Sequence, residues 1–156
     1  MDQRKTNLKK LKEQAALYMQ SKRLQEALDL YKVICRQNKK DVESFYNAGM
    51  ISGQLGNFKD AELCARKVIK LAPNHAGAYF ILGTAMHAMG QYDKAIHSFN
   101  KVLRAMPDNA AVYNNLGNSL TRQKKASEAI QSYLNPVTLQ PGIPAARNNL
   151  GSASPA

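Results

Sequence analysis

Small and apolar residues return along this chain at a fixed interval of 34: Ala27, Ala61, Ala95 and Ala129 form one series, and Gly49, Gly83, Gly117 and Gly151 a second. A period of that length marks an array of helix pairs, each burying its apolar side only against its neighbours. With position 1 set at Leu8, Val42, Ala76 and Ala110, the chain divides into units 8–41, 42–75, 76–109 and 110–143. A partial fifth covers 144–151, a polar extension covers 1–7 and a tail covers 152–156. Each unit reads as two helices, A then B. In the third unit, the run from Ala76 to Gly83 opens helix A, Gly90 permits a left-handed helix end, Ala95, Ile96 and Phe99 lie in helix B, and Pro107 closes the unit. Asp108 and Asn109 then stand where they can cap the next helix. The second unit repeats the plan with Gly49, Gly56, Ala61 and Pro73.

Glycine inside a helix costs ~1 kcal/mol relative to alanine, so Gly49, Gly83 and Gly117 at one register of helix A call for a compensating contact. Close approach of the A and B helices supplies it. Glycine at position 8 and alanine at position 20 let the two backbones meet, while Tyr31, Phe99 and Tyr133 at position 24 fill the volume further along. Ala15 meets the same need in the first unit.

Tyr79, Leu82, Gly83, Ala95, Phe99 and Pro107 stand at signature positions of the tetratricopeptide repeat family, which the chain resembles over nearly its whole length. The resemblance implies an all-α, right-handed solenoid of antiparallel helix pairs. Three positions depart from the family pattern. Gln14 replaces an apolar residue and Lys39 the closing proline in the first unit, a polar character suited to an end cap. Pro136 falls inside the fourth B helix, where the loss of a hydrogen bond costs ~3 kcal/mol or more, so that helix is expected to kink or stop near Leu134. The register resumes beyond it, since Asn114 to Gly117 recurs as Asn148 to Gly151. The sequence ends as a fifth A helix begins, which reads either as a piece of a longer protein or as a short cap.

With 44% apolar residues the chain can bury a core. Its formal charge of +11, from 22 Lys and Arg against 11 Asp and Glu, favours acidic partners. Cys35 and Cys64 are too few for a disulfide framework and read as reduced packing residues. The polar N-terminus and the lack of any ~20-residue apolar run give the expectation of a soluble cytoplasmic protein without a membrane span.

In the family that the chain resembles, A helices line a concave face, with positions 2, 5, 6, 9, 12 and 13 of each unit pointing inward. Those positions make Lys12, Tyr46, Asn47, Met50, Phe80, Ile81, Thr84, His87, Asn114, Asn115, Asn118 and Arg122 the candidate peptide-binding residues. Tyr46, Met50, Phe80 and Ile81 form the expected energetic centre, because aromatic and apolar anchors carry most of the affinity at interfaces. The alternative is that they pack against neighbouring helices. Asn47, Asn115 and Asn149 share position 6, and a side-chain amide can pair with any peptide backbone. This is similar to the asparagine ladder of O-linked N-acetylglucosamine transferase repeats, here interrupted by Glu13 and Ile81. The carboxylate clamp by which some family members hold chaperone tails is incomplete: Lys12 and Asn47 match, but Ala16, Gly77 and Ile81 occupy the remaining sites.

Basic residues such as Arg36, Arg66, Lys70, Lys101 and Arg104 fall on B helices, where a solvated convex surface accounts for them. A nucleic-acid adaptor would need stacking aromatics along a basic path, and the aromatics lie elsewhere. His75, His87 and His97 are not spaced as metal ligands, and no catalytic motif or cofactor signature occurs. The expectation is a non-catalytic scaffold that binds an extended peptide or partner helix. Its rivals are a substrate-recruiting arm of a larger enzyme, such as a glycosyltransferase or sulfotransferase, and the nucleic-acid adaptor. An exposed terminal helix would also allow self-association.

Overall fold

Each helix of the protein starts and stops for local reasons that repeat along the chain. A computed structural model describes residues 2–123, which form seven helices and no strand among them. They are α1 (Gln3–Gln20), α2 (Leu24–Gln37), α3 (Val42–Gln54), α4 (Phe58–Leu71), α5 (Ala76–Ala88), α6 (Tyr92–Ala105) and α7 (Ala110–Arg122). The starts of α3, α5 and α7 are held by the preceding residue. Asp41 Oδ1 accepts from the Ser44 amide at 3.1 Å, His75 Nδ1 from the Ala78 amide at 3.1 Å and Asn109 Oδ1 from the Val112 amide at 3.2 Å. Asn109 is thus the cap, and its neighbour Asp108 remains exposed.

The turn inside each pair uses one left-handed residue, and the three are again 34 apart: Lys22 (φ 58°), Gly56 (φ 79°) and Gly90 (φ 77°). In each turn the next amide reaches back five residues, as in Arg23 to Tyr18, Asn57 to Ser52 and Gln91 to Met86, each at 2.8 Å.

The chain forms two compact units that divide within α5, Met1–Ile81 and Leu82–Ala156. In the first, α1 packs on α2, α2 on α3 and α3 on α4, around Ala15, Ala27, Leu28, Tyr31, Ile34, Ala48 and Ile51. In the second, α6 packs on α7, with Ala95, Phe99, Val102, Val112 and Leu116 among the buried residues.

The position-8 glycines are enclosed in two different ways. A Cβ on Gly49 would lie 3.0 Å from Cys64 Cβ, 3.6 Å from the Ala61 carbonyl oxygen and 3.7 Å from the Ala65 amide nitrogen, so α3 and α4 meet backbone to backbone. A Cβ on Gly83 would instead lie 2.6 Å from Cε1 and 2.8 Å from Cδ1 of Phe99. There the ring itself, rather than the helix backbone, sits on the glycine. The difference follows from position 24, which is the small Ala65 in one pair and Phe99 in the other.

Both thiols belong to the packing. Burial pushes Cys35 up to about 12 and Cys64 to about 11, far from the thiolate range that supports reactivity. Several second-helix cations are engaged: Lys32 with Asp60 at 3.0 Å, Arg66 with Glu62 at 2.9 Å, and Lys67 over the Phe45 ring at 5.7 Å. The readings placed on Pro136, Tyr133, Ala129, Asn149 and Gly151 lie outside the described residues.

Candidate functional site

The inward-register residues of the first unit are mostly engaged by neighbouring repeats. Lys12 on α1 is ion-paired with Asp41 and lies 3.9 Å from Glu43, which ties α1 to the start of α3. Burial alone would raise the Asp41 carboxyl, but the Lys12 ammonium and the Ser44 amide outweigh it and hold the group below its ordinary value. Tyr46 occupies the equivalent register on α3 and makes the equivalent contact by different chemistry. Its ring lies 4.9 Å from that of His75, and a Cβ on Gly77 would come within 2.8 Å of it. Gly77 is therefore the space that Tyr46 occupies.

Asn47 donates through Nδ2 to the Tyr31 hydroxyl at 3.2 Å. Burial raises the Tyr31 phenol, with the Asn47 bond opposing it, so Tyr31 stays a neutral, fixed partner. That bond uses Nδ2 and does not involve the side-chain Oδ1 of Asn47. Met50 and Phe80 are half-buried, whereas Ile81 is 7% exposed and belongs to the packed interior. Two members of the expected apolar centre, Tyr46 and Ile81, are thus held by packing.

In the second unit the candidates are more polar and more open. On α7, Asn114, Asn115 and Asn118 are half-buried and Arg122 is exposed. Asn115 accepts through its backbone carbonyl from Ser119 Oγ at 3.1 Å, a bond that does not involve its side-chain amide. Asn114 also edges an open cleft of about 700 Å³ at the α6–α7 turn, beside Met106, Pro107 and Ala111. On α5, Thr84 is half-buried and His87 Nδ1 lies 2.9 Å from Ser119 Oγ, with the Tyr92 ring edge-on at 5.3 Å. Burial, followed by the Arg122 charge, lowers the His87 pKa.

Sequence reasoning passed over Asp41, His75 and Ser119. The signal for the first two was present, because Asp41, His75 and Asn109 form another 34-residue series. Ser119 carried no such mark. Among the described residues, no cluster of His, Cys, Asp or Glu could hold a metal ion, and no helix is long and apolar enough to cross a membrane.

Tandem helix pairs with capped starts, left-handed turns and half-open first-helix faces define an all-α repeat protein of the interaction class. Models of the tetratricopeptide repeat match residues 8–36, 42–75 and 64–97, and a TPR repeat model matches 85–124. The chain belongs to the tetratricopeptide repeat family. Among solved structures it is similar to MamA 41-end from Desulfovibrio magneticus RS-1, with 26% identity and a TM-score of 0.90 over 98% of this chain and 85% of that one. A MamA RS-1 double mutant gives the same identity and score, over 98% and 84%. YrrB, a TPR protein described as having an unusual peptide-binding site, shares the fold at 16% identity and a TM-score of 0.82, over 97% and 82%. No curated protein matches the sequence.

Proposed function

We propose that the protein is a non-catalytic scaffold whose first helices bind an extended segment of a partner protein along their inward-register faces. The observation that carries this reading is the side of α7 bearing Asn114, Asn115, Asn118 and Arg122, which offers amides and a cation on a half-open surface. The Asn115 side-chain amide holds both a donor and an acceptor, the pair that a passing peptide group requires. Asn47 supports the same role in the first unit, since Tyr31 fixes its Nδ2 and leaves its Oδ1 for an incoming amide. Each such bond contributes only about 1 kcal/mol, so affinity depends on several of them, and in the first unit Met50 and Phe80 add apolar contact.

A photo-crosslinking amino acid placed at Met50, Asn115, Leu63 or Lys101 tests the reading on whole-cell partners. Leu63, 59% exposed, and Lys101 lie on second helices and serve as controls. Crosslinks to one protein band are expected from 50 and 115 and not from 63 or 101. The opposite pattern would refute the assignment of the binding face.

A further inference from the structure

His87, Ser119 and Arg122 make an arrangement that general peptide binding does not explain. The Ser119 hydroxyl has one proton, and it is donated to the Asn115 carbonyl at 3.1 Å. Toward His87 Nδ1, 2.9 Å away, Ser119 can therefore only accept. In this arrangement Nδ1 carries the hydrogen and Nε2 presents a lone pair. The bond to Ser119 engages Nδ1 and leaves Nε2 outside it.

Two helices face this ring. From α6 comes the neutral Tyr92 phenol, and from α7 come Ser119 and the Arg122 charge. The nearest acid in sequence to Tyr92, Asp93, accepts from Gln123 Nε2 at 2.6 Å. None of the ion pairs among the described residues involves Arg122. A cation and an oriented imidazole thus stand together, with no carboxylate paired to either among the described residues.

We propose that His87 and Arg122 form a proton-linked subsite for a carboxylate side chain of the bound segment; the proposal rests on the groove reading above and names its ligand chemistry. Arg122 donates to the carboxylate at any pH. His87 joins only when Nε2 is protonated, since its lone pair otherwise repels the anion. Binding and proton uptake are reciprocal: the carboxylate raises the histidine's affinity for a proton, and protonation tightens the carboxylate by the same factor. In the free protein, burial and Arg122 hold His87 below its ordinary value of 6.5, so the imidazole is neutral at pH 7. The bound anion moves that value upward, and affinity therefore rises as pH falls through the interval between the two. The register distinguishes this subsite from the incomplete carboxylate clamp, because His87 and Arg122 stand at positions 12 and 13 of their repeats and not at 2, 5, 6 or 9.

The test uses the full chain with carbon-13-labelled histidine, in which the His87 imidazole is followed by NMR, at about 0.15 M salt to screen distant charge. The probes are end-capped hexaglutamate and end-capped hexaglutamine. Saturating hexaglutamate is expected to raise the His87 midpoint by about 0.5 to 1 unit, a three- to tenfold tightening at acid pH, with the exposed His97 unmoved. Arg122→Gln should weaken hexaglutamate binding at every pH. His87→Gln should remove its pH dependence between 5 and 7.5 and keep the remainder. A His87 midpoint unmoved while the Asn114 and Asn115 amides shift would overturn the subsite and leave the groove reading standing. Shifts confined to second-helix residues such as Arg66 and Lys101 would overturn both. Equal movement of His87 by hexaglutamine would overturn the requirement for a carboxylate.

Discussion

Replacing Gly83 by alanine sets two well-defined effects against each other, and the structure decides between them. Helix propensity favours the change by ~1 kcal/mol. The new methyl, however, would lie 2.6 Å from Phe99 Cε1, 2.8 Å from Cδ1 and 3.0 Å from Cζ, where carbon atoms ordinarily rest ~3.5 to 4 Å apart. Phe99 is fully buried, so the ring has no solvent to move into. Overpacking of this kind costs ~1 to 3 kcal/mol, which outweighs the propensity gain and gives a net loss of ~1 kcal/mol. Urea unfolding should show a lower midpoint at unchanged slope, and the melting temperature should fall by ~2 to 4 °C. Phe99→Leu is itself destabilising, but it vacates the contested space. In the double variant Gly83→Ala should therefore cost less or become favourable, a coupling of ~1 kcal/mol in the cycle. Gly49→Ala supplies a contrast: only Cys64 Cβ, at 3.0 Å, is too near, so its effect should lie closer to zero. Full recovery of the propensity gain at Gly83, or no coupling with Phe99, would refute the ring-on-glycine packing.

Lys22→Gly should stabilise the protein by ~1 kcal/mol, because Lys22 is exposed and holds φ at 58° where the two later turns use glycine; an unchanged melting temperature would contradict the strain. Asp41→Asn keeps a capping side chain but removes the charge that pairs with Lys12, and should cost ~1 kcal/mol at pH 7. The sign follows from the lowered Asp41 pKa: the carboxylate's contribution is present above its ordinary value of 3.8 and is lost as pH falls through the folded value. The variant and parent should therefore converge in acid unfolding experiments, and a difference that persists at the lowest pH would show that charge is not the cause.

The helix pairs were legible because the same small residues must return wherever two helices meet. Ala27, Ala61 and Ala95 are all fully buried, as their common spacing required. The contacts of the candidate site were less legible, since they depend on which side chains face one another across repeats. Position 5 is Lys12 in one repeat and Tyr46 in the next, and periodicity marks both as inward without revealing that Asp41 holds the first and that Gly77 accommodates the second. Likewise, the Phe99 ring over Gly83 depended on the residue at position 24, where volume rather than spacing decides the geometry.

These contacts also sort the inward residues by what they can still offer a ligand. A side chain committed to its neighbour has already used its binding capacity: Lys12 is neutralised by Asp41, and Tyr46 is packed against His75 and Gly77. Truncating either would perturb the repeat stack as well as any partner contact, so loss of binding in such a variant would be ambiguous. The Asn115 side-chain amide, Arg122, Asn47 Oδ1 and His87 Nε2 are different, because the hydrogen bonds and ion pairs described above do not engage them. Polar groups of this kind lose little when water is replaced by a partner's matching group, and they lose more when the partner has none. Selectivity should therefore reside in this polar set, and the aromatic residues serve chiefly to hold it in register.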